Sequence, residues 1–72
     1  MHISTRNQLV GEVEDVKLGG IMASVKVRLT SDELITAAIT REAAEEMHLA
    51  PGMDITVLVK ASEVTLALED GC

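Results

Sequence analysis

Two short polar clusters stand out in a chain that is otherwise aliphatic and acidic. The first, Ser4, Thr5, Arg6, Asn7, Gln8, packs two hydroxyls, a guanidinium and two amides just ahead of Leu9 and Val10. The second, Lys60, Ala61, Ser62, Glu63, sets an ammonium and a hydroxyl at the joint between two apolar runs. The outer atoms of a tetrahedral oxyanion are all acceptors, so a rigid fork of guanidinium N–H groups beside hydroxyl donors suits its capture. Thr40 offers a third donor position, because it stands where strand composition gives way to helix composition, and the N–H groups and dipole of a helix start favour anions. Each cluster also has a plainer reading: a solvated polar terminus, a solubilising lysine at a turn, and a capping threonine.

Other chemistry finds little support. Glu45 and Glu46 are adjacent on a helix and point different ways, which makes a poor acid/base dyad. No nucleophile elbow, phosphate-cradling glycine loop or metalloprotease helix occurs. His2 and His48 show no paired metal-ligand spacing, and Cys72 reads as an incidental terminal thiol. The expectation is a binding protein with no catalytic residues, no resident metal and no organic cofactor.

The chain has 72 residues, 12 acids against 6 bases for a net charge of −6, a single cysteine and no Phe, Trp or Tyr. Excess acid argues against nucleic acid, whose phosphates need a basic patch, and the lack of aromatics removes base-stacking platforms. There is no apolar run long enough to cross a membrane and no signal-peptide pattern, so the expected compartment is the cytoplasm. The length fits one domain, 1–72. A core this small needs outside support, and with no disulfide or metal to supply it, self-assembly is expected.

Hydrophobic periodicity supplies the elements that position the polar clusters. Ile21, Ala23, Val25, Val27 and Leu29 alternate with mostly polar residues, the pattern of a half-buried strand. Before it, Leu9 and Val13 lie in one phase and Val16 and Leu18 in the other, which predicts a bulge or bend. Gly19 and Gly20 predict a tight hairpin with positive φ angles. A third strand, 34–40, follows a turn at Ser31 and Asp32. Thr40 then caps a helix of about two turns that ends before Pro51 and Gly52, with His48 near its negative end. Two more strands, 53–60 and 64–69, are expected to bury Ile55, Val57 and Val59, then Val64, Leu66 and Leu68. The order gives an all-β fold with one short helix, a five-stranded OB-like Greek-key barrel, with a parallel βαβ fold as the weaker alternative. Met22, Leu34, Ala38, Leu58, Ala67 and Val10 face outward, which again suits association.

The segment Ile3 to Leu9 with Gly11 and Val13, and the pentapeptide Lys60 to Val64, resemble two signatures of the molbindins, small molybdate- and tungstate-binding proteins; Ile35 to Thr40 resembles that family's third strand. The likeness covers nearly the whole chain. It implies an OB-like barrel, homo-hexamers built as a trimer of dimers, and oxyanion sites at subunit interfaces serving storage and homeostasis. By motif position it implies ligand contacts from Ser4, Arg6 and Lys60, with Thr5, Thr40, Ala61 and Ser62 as backbone or hydroxyl donors. Thr5, Met22 and Ser24 depart from the family's usual residues. The competing expectation is a structural or regulatory interaction module of the same fold without anion binding.

Overall fold

The computed structural model describes residues 7–69. Four strands, β1 (Asn7–Leu18), β2 (Met22–Leu29), β3 (Leu34–Thr40) and β4 (Asp54–Val59), form one sheet in the order β3-β2-β1-β4, and the helix α1 (Arg41–Glu46) lies between β3 and β4 in the chain. Every pairing is antiparallel, which excludes the parallel alternative. Three hairpin-linked strands with the fourth returning beside the first make a Greek key, here curled into an OB-like barrel.

β1 organises the sheet because it belongs to two ladders. Its first half, Asn7 to Glu12, pairs with β4, and Gly11 to Leu18 pairs with β2. The expected phase change is a bulge: the register passes from Val13 opposite Val27 to Asp15 opposite Lys26 and skips Glu14. The extra residue turns Val16 to the side that Val13 faces, and both reach the core. Gly11 is fixed by crowding, since a Cβ there would stand 2.6 Å from the Arg28 carbonyl oxygen and 2.9 Å from a Val27 methyl.

The core is small and aliphatic. Val13, Ala23, Val25, Val27 and Ala44 are buried, and Val16, Leu29, Ile39, Leu49, Met53, Ile55 and Val57 are half-buried around the central valines. Alternation in β2 and β3 places Ala23, Val25 and Val27, and then Ile35, Ala37 and Ile39, inward as expected. Met22, Leu34, Leu58 and Val10 are exposed on the outer face.

Three sequence expectations are corrected. The fifth strand does not form among the described residues: 64–69 makes no ladder, with Leu66 89% and Leu68 95% exposed. The linker explains this, because Ala61–Glu63 is a single 3-10 turn flanked by extended residues, Lys60 (φ −66, ψ 131) and Val64 (φ −82, ψ 128), and does not fold the chain back onto β4. The second correction concerns the β1–β2 hairpin, where neither Gly19 nor Gly20 is left-handed. Gly19 is needed for closeness instead, since its N–H donates to the Met22 carbonyl at 2.8 Å and a Cβ would sit equally near that oxygen. The third is Ile21, expected inward but 80% exposed, because the β2 ladders start at Met22 and Ala23 and alternation has no meaning beyond them.

The helix starts as expected. The Thr40 hydroxyl oxygen accepts the Ala43 N–H at 3.1 Å, and the helix runs six residues to Glu46. His48 lies just beyond the C-cap Met47 in left-handed backbone, φ 52. Left-handed Gly52 (φ 94) turns the chain into β4, with its N–H donating to the Val13 carbonyl.

Candidate functional site

The β1–β4 register sets the end of the first polar cluster, Asn7 and Gln8, beside the residues that lead into the second. Asn7 is opposite Val59, and the Asn7 side-chain amide donates to the Val59 carbonyl at 3.2 Å. Asn7 follows Arg6 in the chain and Val59 precedes Lys60, so residues far apart in sequence are delivered to the same end of one ladder. Ser4, Thr5 and Arg6 lie outside the described residues. Lys60, Ala61 and Ser62 are exposed, and the last two open the 3-10 turn, whose leading N–H groups have no partner within the turn.

Thr40 is placed elsewhere. It pairs with Met22, near the Leu18 end of β1, whereas Lys60 adjoins the Asn7 end. Eleven steps of strand at about 3.3 Å each separate those ends, roughly 36 Å along a straight strand and less along this bent one. A single chain therefore does not unite Thr40 with Lys60 or with the Asn7 end of β1. Around Thr40, an open groove is lined by Gly20, Ile21, Arg41, Glu42 and Glu45.

Two arginines are committed to holding the fold. Arg28 donates to both Glu14 carboxylate oxygens, at 2.6 and 3.2 Å, and to the backbone and side-chain oxygens of Asp32, at 2.9 and 3.3 Å. Hydrogen bonding to Arg28 holds the Glu14 carboxyl below its ordinary range, and the same bond raises the guanidinium. Arg41 donates to the Gly19 carbonyl at 3.0 Å and to Glu45 at 3.3 Å, while its N–H reaches the Ile21 carbonyl at 2.7 Å. These two arginines knit turns together. Sequence reading missed both roles, because the bulge and the hairpin create partners 14 and 22 residues away. No cluster of metal-ligating side chains occurs among the described residues.

Residues 3–66 match the model of the TOBE domain. The chain belongs to the molbindin branch of the TOBE-domain family. Its molbindin relatives include the molybdenum-pterin-binding protein 1 of Clostridium pasteurianum, 35% identical over 92% of this chain and 97% of that protein. The molybdenum transport protein ModE of Azotobacter vinelandii is 41% identical over 96% of this chain, which spans only about a quarter (26%) of its length. Among solved molbindin structures, a molybdate-binding protein from Sporomusa ovata superposes with a TM-score of 0.90 at 34% identity, covering 94% of this chain and all of that one. The cytoplasmic molybdate-binding protein ModG, solved with molybdate bound, gives 0.81 at 34% identity over 85% of this chain and 43% of its own.

Proposed function

We propose that this chain is a cytoplasmic oxyanion-binding protein that holds molybdate or tungstate, for storage and homeostasis, in sites shared between the copies of a homo-hexamer. The carrying observation is the Asn7–Val59 register, which sets the residue that follows Arg6 in the sequence opposite the one that precedes Lys60. Arg6 and Lys60 offset the dianion's charge. The Ser4 hydroxyl and the N–H groups of Thr5, Ala61 and Ser62 hold its oxygens. Thr40, remote within one chain, reaches the site from a neighbouring copy.

The printed names of the relatives support this reading, since they are molybdenum or molybdate proteins and ModG is described as cytoplasmic. The 72 residues act as one binding domain, in which capture is reversible and no bond is made or broken. A net charge of −6 repels an anion at long range, so affinity depends on these few donors.

Calorimetry with molybdate and with tungstate tests the reading. Arg6→Ala and Lys60→Ala each remove binding while the circular dichroism of the sheet persists. Wild-type affinity in both variants overturns the assignment.

A further inference from the structure

One hydrogen bond at the site adds little to the fold. The Asn7 side-chain amide donates to the Val59 carbonyl at 3.2 Å, in an exposed position. Strand pairing does not depend on it. Val13 donates its N–H to the Met53 carbonyl, and hydrogen-bonded pairs recur at every second residue of an antiparallel ladder, so Asn7 and Val59 are such a pair through their backbones. The Val59 oxygen has two lone pairs and takes the side-chain amide in addition. An extra bond of this kind, open to water, contributes little to stability.

What it does fix is a plane. The Val59 oxygen and the Lys60 nitrogen belong to one rigid peptide unit, so a second donor on the oxygen sets how the Lys60 N–H is aimed. The need is local, because Asn7–Val59 is the last pair of this ladder among the described residues, and ladder ends fray. The peptide unit on the other side of Lys60 is held as well, since the Lys60 carbonyl accepts the Glu63 N–H at 2.8 Å. Lys60 is thus gripped before and after its Cα, in extended backbone (φ −66, ψ 131) at the N-cap of the 3-10 turn.

We propose that Asn7 is a positioning residue for oxyanion binding: its side-chain amide sets the Val59–Lys60 peptide plane, and through it the direction in which the leading N–H groups of the turn face the anion. The proposal rests on the anion-binding reading above. The Lys60 ammonium rides on a flexible stem and adjusts by itself, whereas backbone donors do not, so they are the groups that a fixed plane serves. An amide suits position 7 because it donates without adding charge. Asn7→Asp keeps the shape, has no proton to give the Val59 carbonyl, and sets one more acid beside a dianion.

The test pairs NMR with calorimetry on wild type, Asn7→Ala and Asn7→Asp. Residual dipolar couplings read the Lys60 and Ala61 N–H directions. In Asn7→Ala both directions shift while the β1–β2 ladder keeps its wild-type couplings; unchanged directions overturn the proposal. Asn7→Ala binds molybdate about tenfold more weakly, the low end for losing a group that orients a ligand-holding residue, and Asn7→Asp binds more weakly still. Wild-type affinity in either folded variant overturns the proposal, including the case in which only the urea midpoint falls, as it would for a merely structural Asn7. Wild-type protein that takes up no molybdate sinks the anion reading and with it the binding role of Asn7, while the N–H directions still decide whether Asn7 sets the plane.

Discussion

The two sides of β1 differ in kind. On the β2 side, the ladder runs from Gly11 to Leu18, seals Val13, Val25 and Val27 from solvent, and is clipped at the bulge by Arg28 and Glu14. On the β4 side, the ladder is six pairs long, Ile55 and Val57 are only half-buried, and the chain runs out into exposed aliphatics after Lys60. One half completes its burial within a single chain. The other carries the same sort of side chains but lacks a covering layer, and it is the half that bears the second polar motif. The sealed core and the second polar motif thus lie on opposite sides of one strand.

The contrast is broken most severely at Gly11, where both ladders overlap. Gly11→Val drives a side chain into the Arg28 carbonyl and Val27, and urea denaturation shows a loss of about 3 kcal/mol. Gly20→Ala has nothing within 4 Å of the added carbon and no left-handed backbone, so it changes stability by under about 1 kcal/mol. Next in size is a matched pair of truncations. Val27→Ala in the sealed half costs about 2 kcal/mol, and Val57→Ala in the open half about 1 kcal/mol in dilute, monomeric protein.

The smallest effect is electrostatic. Glu14 titrates below its ordinary range because of its hydrogen bond to Arg28. That pair therefore contributes stability at pH values above the carboxyl's ordinary range and loses it as acid protonates the folded form. Glu14→Gln flattens this part of the acid-side stability profile measured by thermal unfolding. Added salt weakens the wild-type contribution in the same direction, as befits a half-exposed pair.

Legibility in the sequence follows the same division. β2 and β3 are readable because each has one face inward and one outward, so period two maps directly onto burial. The bulge is readable because a phase change within one strand has few other causes. Val64, Leu66 and Leu68 show the same alternation, but alternation records a face that needs covering and says nothing about which chain provides the cover. Ile21 fails for a related reason, since its phase is right and its ladder is missing. The bonds from Arg28 to Glu14 and from Arg41 to Gly19 leave no local trace, because they depend on how the strands and the hairpin are placed. At the candidate site, both polar motifs are visible as sequence. Their meeting at Asn7 and Val59, and the distance that separates Thr40 from Lys60, emerge only from strand order.

The skipped residue at Glu14 has a consequence for how this strand tolerates change. An alternating strand has a reading frame of two, and one inserted residue acts as a frameshift: side chains before it and after it are assigned to opposite parities. Losing Glu14 would absorb the shift, leaving Val13 and Val16 two steps apart on the inner face of a regular strand and Lys17 outside. Substitutions along β1 are local in effect, whereas straightening the bulge at constant length would turn over every position downstream as far as the hairpin.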